Sequence, residues 1–139
     1  MPRLYQFTLD PYSRRTRLQL SEKGQACQLI DERPWTPSAP LLDLNPSGLV
    51  PVFVEDTGLA ICGSEALSEY LEEAHPTEKT LLPGNAYQRA EIRRLVAWFD
   101  VKFYTEVCPN PCSLKKWSSA SCQRPQPLIW PAFVQHCNA

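Results

Sequence analysis

Residues 51–64 read Pro51-Val52-Phe53-Val54-Glu55-Asp56-Thr57-Gly58-Leu59-Ala60-Ile61-Cys62-Gly63-Ser64, and this stretch decides the fold. Two short apolar runs, Pro51 to Val54 and Leu59 to Cys62, flank the polar turn Glu55-Asp56-Thr57-Gly58, which is the pattern of a β-hairpin. Behind the hairpin, Ser64 can cap a helix whose Leu67, Tyr70, Leu71 and Ala74 fall at i, i+3, i+4 and i+7, and Pro76 follows its end. Working upstream, Arg3 to Thr8 reads as a strand, and Asp10-Pro11 supplies an N-cap acceptor with proline at the first helical position. The helix runs to Lys23 and stops at Gly24. Its apolar Leu18 and Leu20 are poorly spaced for one face, so the cap and the glycine carry that assignment. Ala26 to Asp31 is a second strand, followed by a loop holding Pro34, Pro37, Pro40 and Pro46 in which Leu41 to Leu44 makes one helical turn. The order is strand, helix, strand, then strand, strand, helix. It implies an α/β domain on a small mixed sheet, with a parallel right-handed first crossover and an antiparallel hairpin.

Residues 75–85, with Pro76, Pro83 and Gly84, read as a linker. Beyond it, Ile92, Leu95, Val96, Phe99 and Phe103 define an amphipathic helix over residues 86–107, whose apolar stripe needs partners. Residues 108–139 break in composition: they hold none of the chain's 15 acidic residues but include five prolines, Pro109, Pro111, Pro125, Pro127 and Pro131. Those prolines forbid long helices. Cys108, Cys112, Cys122, His136 and Cys137 invite a zinc reading, but there is no Cys-x-x-Cys pair and the later spacing is irregular, so no metal is expected. Dropping two bases from ordinary codons for Pro109 to Ser119 restores a helix-like sequence, so this segment is read as an irregular, out-of-frame tail.

A formal net charge of -1, with no long basic run, gives no electrostatic case for nucleic acid or an anionic membrane surface. No stretch approaches the roughly 18 apolar residues of a membrane span. The opening Met-Pro-Arg-Leu-Tyr lacks the apolar core of a signal peptide, so a cytoplasmic location is expected. Cys27 and Cys62 lie inside apolar, strand-like runs. Arg14, Arg15 and Arg17 read as a solvated helix face, with a partner-protein or anion contact as the sharper alternative, while His75 and His136 have no acid or thiol at catalytic spacing.

Three ordered blocks, together covering about 80 residues, carry a family resemblance: Leu4-Tyr5 with Ser13 to Leu18, Asn45 to Val52, and Ser64 to Glu73. They resemble the thioredoxin-like N-terminal domain of glutathione S-transferases. The opening Pro2 to Tyr5 and the helix Arg89 to Asp100 are similar to bacterial members, FtsZ-localised ones included. The resemblance implies a βαβ-ββα domain over residues 1–83, the first helix of an all-α domain over 84–107, and glutathione as substrate or ligand. It also implies that Val50-Pro51 is a cis pair whose backbone bonds the cysteinyl part of glutathione, and that Ser64 holds the γ-glutamyl carboxylate at a helix N-terminus. The acidic or amide residue the family keeps before that serine is Gly63 here, and Glu65 is its shifted substitute.

Aligned on Arg15 to Leu18, the family's serine or cysteine, which stabilises or supplies a thiolate, is replaced by Asp10. A carboxylate there opposes a thiolate, and Asp10 is accounted for as an N-cap. Tyr12 and Ser13 are weaker hydroxyl candidates, and Tyr5 resembles the place where other classes keep a tyrosine. Little or no transferase activity is therefore expected. The alternative is a non-catalytic binding module for a partner such as an FtsZ-type division filament, with a homodimer as a further possibility.

Overall fold

The structure is a computed structural model that describes residues 1–76 and 80–107, with Phe103 and Val107 described by their backbone alone. The expectations made for residues 108–139, the out-of-frame tail and the rejected zinc site, lie outside the described residues. The chain begins with β1 (Arg3–Gln6), α1 (Pro11–Glu22), β2 (Gln28–Asp31) and α2 (Ala39–Leu44), then continues through β3 (Val52–Val54), β4 (Ala60–Cys62), α3 (Ser64–Ala74) and α4 (Ala86–Val107). The strands form one four-stranded sheet in the order β2-β1-β3-β4. β1 and β2 are parallel, β1 and β3 antiparallel, and the hairpin pairs Val52 with Cys62 and Val54 with Ala60. This is the mixed α/β sheet read from the sequence.

Alternation along the strands divides the core into two layers. Leu4 and Phe53 face one side and pack with Leu20 of α1 and Leu67 and Leu71 of α3. Tyr5, Val52 and Val54 face the other side and pack with Leu41 of α2. The sheet is therefore covered on both faces, α1 and α3 on one and α2 on the other.

Caps fix where the helices begin. Asp10 accepts from the Ser13 amide at 2.6 Å at the start of α1, and Ser38 does the same for Leu41 at 3.3 Å in α2. Gly24, with φ +66°, lies beyond the C-cap Lys23 in the left-handed conformation that glycine adopts freely. α1 buries Ser13, Thr16 and Leu20, spaced i, i+3 and i+7, whereas Leu18 is exposed. The missing apolar periodicity is explained by that face, which is two-thirds hydroxyl.

One expectation is corrected. The N-cap of α3 is Gly63, at φ +88°, and Ser64 is the first helical residue, with no side-chain cap bond. On α4 the apolar stripe is partly without partners, as expected: Ile92 and Val96 are partly buried and Leu95 and Phe99 exposed, and Trp98 and Val101 beside it are exposed as well.

Candidate functional site

The β3–β4 hairpin and the loops ahead of it bring the site together. The Val50–Pro51 bond is cis, Pro51 is fully buried, and Val50 packs at the margin of the Tyr5 layer. The Gly63 amide donates to the Pro51 carbonyl at 3.0 Å, so the strand start bearing the cis bond and the first turn of α3 are tied to each other. A Cβ on Gly63 would meet nothing within 4 Å. Its positive φ, not lack of space, is what favours glycine there. Ser64 is 8% exposed at the N-terminal end of α3, where the helix dipole and free amides favour an anion. Glu65 is exposed in the same turn.

Asp10, Tyr12 and Ser13 occupy the first turn of α1. Asp10 is 7% exposed, and burial pushes its carboxyl above the usual carboxylate range, an effect opposed by hydrogen bonds from the side chain and amide of Ser13. Ser13 is fully buried and its hydroxyl oxygen accepts from the Phe7 amide at 3.3 Å. That hydroxyl is committed to the turn. Tyr12 is partly exposed, its ring 5.6 Å from that of Tyr104 on α4, and burial followed by the charges of Asp100 and Asp10 raises its phenol. Tyr5 lies in the packed layer beneath α2, on the opposite side of the sheet from α1.

The solvated face expected for Arg15 is also corrected. Arg15 is largely buried and its Nη1 donates to Asp100 of α4 at 2.5 Å, while its Nε and Nη2 are buried without a partner among the described residues. Arg14 is exposed, and Arg17 donates to the Thr8 carbonyl at 3.1 Å. Asp100 is felt by Asp10, Tyr12 and Glu65, so it stands between the first turns of α1 and α3. Burial raises the Asp100 carboxyl, and Arg15 counters the rise. Nothing in the sequence pattern singled out this residue; an acid on α4 acquires its place only when the helix docks.

Arg15, Glu65, Glu69, Glu72 and Asp100 line a cavity of about 90 Å³ between α1, α3 and α4. Glu65 and Asp100 thus share this cavity with Arg15, and Asp10, capping α1, lies near enough to Asp100 for their charges to interact. Such an arrangement suits a zwitterion, with amides and guanidinium for a carboxylate and side-chain carboxylates for an ammonium, and it disfavours a bare thiolate. Burial raises the thiols of Cys27 and Cys62, which makes them reluctant nucleophiles. Among the described residues no group of three or more His, Cys, Asp or Glu could hold a metal ion, and no helix is long and apolar enough to cross a membrane.

The model of the glutathione S-transferase N-terminal domain matches residues 4–79, and the chain belongs to that family. It is 44% identical over 107 residues to the FtsZ-localized protein A of Caulobacter vibrioides, an alignment covering 75% of this chain and 46% of that protein. It also resembles the crystal structure of a glutathione S-transferase from Rhodospirillum rubrum, with 48% identity and a TM-score of 0.72 over 76% of this chain and 48% of the other. A Methylobacterium radiotolerans glutathione S-transferase, solved in complex with glutathione sulfonate, is 32% identical with a TM-score of 0.63, covering 67% and 43% of the two chains. The chain spans about half the length of these relatives.

Proposed function

We propose that this chain is the glutathione-site part of a glutathione S-transferase-type protein and that it binds glutathione while activating its thiol poorly. The backbone at Val50, ahead of the cis Pro51, pairs with the cysteinyl segment of the peptide. The Ser64 hydroxyl and the amides of the first turn of α3 receive the γ-glutamyl carboxylate, and Glu65 and Asp100 face its ammonium. α4 is the first helix of the all-α domain that completes such proteins, and the molecule works in the cytoplasm. The observation that carries the reading is the bond from the Gly63 amide to the Pro51 carbonyl, which joins the cis pair to the first turn of α3.

Asp10 sets the level of activity. Its carboxylate already takes the Ser13 amide at the N-terminus of α1, and two unit negative charges about 6 Å apart repel by about 3 kcal/mol at an effective dielectric of about 20. Ser13 is fully buried, its hydroxyl taken up by the Phe7 amide and Asp10, and the Tyr12 ring packs beside Tyr104 of α4, so neither is a ready hydroxyl donor to the sulfur in its place. Calorimetric titration should detect glutathione binding, and turnover with a general electrophile should stay near the uncatalysed rate. A turnover number of about 1 per second or more contradicts the weak activation. Absence of binding contradicts the site.

A second reading is favoured by the relative whose name places it with FtsZ. Here the same fold serves as a non-catalytic module on a division filament. Co-sedimentation of the chain with polymerised FtsZ tests it, and a chain left wholly in the supernatant argues against it.

A further inference from the structure

α3 carries Glu65, Glu69 and Glu72 at i, i+4 and i+7, a row of carboxylates on one helix face. Each meets something different. Glu69 takes the Arg93 guanidinium of α4 in a two-pronged grip, Nε to Oε1 at 2.7 Å and Nη2 to Oε2 at 2.8 Å. Glu72 takes the ammonium of Lys23 at 2.8 Å, the Thr80 hydroxyl at 2.7 Å and the Leu81 amide at 3.0 Å. The Lys23 side chain is 1% exposed, so Glu72 balances a buried charge while holding the segment that leads into α4. No described residue of α4 is buried, and Leu95 and Phe99 face solvent. Apolar burial on this helix is limited to the partly buried Ile92 and Val96 and the Tyr104 ring against Tyr12, and the ionic contacts add to it in placing the helix. Further along the same helix stands Asp100, bonded to Arg15 and facing the glutathione site proposed above.

We propose that Glu72 and Glu69 are positioning residues that seat α4, and that through α4 they set Asp100 and Arg15 at the first turns of α1 and α3. This inference rests on the glutathione reading above for its functional consequence. The two carboxylates act from the far side of the cavity and touch no ligand. Glu69 is the milder test because its pair with Arg93 is partly exposed. Glu72 is the stronger one because its loss strands the Lys23 charge.

The experiment is a double-mutant cycle on the full chain, crossing Glu72→Gln and Glu69→Gln with Asp100→Asn, with glutathione affinity by calorimetry and amide hydrogen exchange as readouts. Exchange over residues 86–100 should accelerate at least tenfold in Glu72→Gln, while β1 and β3 change less than twofold. Glutathione Kd should rise at least threefold in either glutamine variant, yet change by less than 1.5-fold when the same substitution is made in the Asp100→Asn background. Equal losses in both backgrounds would mean that the glutamates do not act through Asp100, since independent distant sites add, and would overturn the proposal. So would unchanged exchange in α4. Should Glu72→Gln fail to fold, Glu69→Gln decides alone. A wild-type chain that binds no glutathione sinks the function proposed above; the cycle is then read in urea denaturation, where additivity of Glu69 and Asp100 refutes the seating.

Discussion

Asp10→Ser separates the charge of Asp10 from its capping role. Serine and aspartate rank alike as N-caps, so α1 keeps an acceptor for the Ser13 amide and its start survives. What changes is the charge. For a sulfur about 6 Å away at an effective dielectric of about 20, the repulsion is about 3 kcal/mol, and each pKa unit corresponds to about 1.4 kcal/mol. The amide and hydroxyl of Ser13 offset part of that charge, and burial raises the Asp10 carboxyl, so part of the repulsion is relieved by protonation. Retaining half of the Coulomb figure leaves a shift of about one pKa unit. Glutathione bound to the natural chain should titrate above the ordinary thiol value of about 8.5, and glutathione bound to Asp10→Ser about one unit lower than that. The assay is ultraviolet thiolate absorbance across a pH series at saturating glutathione, with S-methylglutathione as the blank. An equal or higher thiol pKa in the variant would refute the placement of the sulfur beside Asp10.

Glu72→Gln should lower stability at neutral pH by about 3 kcal/mol, because Lys23 is left buried and unpaired. The folded-state pKa of Glu72 is lowered, hydrogen bonds from Lys23, Thr80 and Leu81 outweighing burial, so its contribution is present above the unfolded value of about 4.3 and lost as pH falls through the folded one. Urea denaturation should therefore show the gap between natural chain and variant closing on acidification; a gap constant with pH would contradict this. Phe53→Ala removes the largest fully buried side chain of the sheet and should cost about 3–5 kcal/mol, measured by the same denaturation. Leu95, Trp98, Phe99 and Val101 leave about half of their surface on α4 in water, so each forgoes about 1 kcal/mol of burial. The chain should consequently elute as a dimer or larger species by light scattering, and a monomer with a sharp cooperative melt would count against this.

Features governed by local physics were legible along the chain. The hairpin around Glu55 to Gly58, the Asp10-Pro11 helix start, the Gly24 stop and the span of α4 depend on turn chemistry, capping and proline geometry, which act within a few residues and are written in order along the chain. The cis Val50–Pro51 pair was legible only through the family resemblance, because an X-Pro dipeptide alone does not choose its isomer. The remaining features depend on long-range packing. The polar inner face of α1 gave no periodic signal, because Ser13 and Thr16 are buried by the packing around the helix. Ser64 yielded the cap to Gly63, which combines a positive φ with a bond to Pro51 at the hairpin's end. Arg15 read as a surface residue because its partner Asp100 lies 85 positions away, and His75 read as isolated because Glu55, 20 positions away, meets it at 3.1 Å. Charges and hydroxyls acquire roles from what folding brings beside them, and that proximity has no period in the sequence.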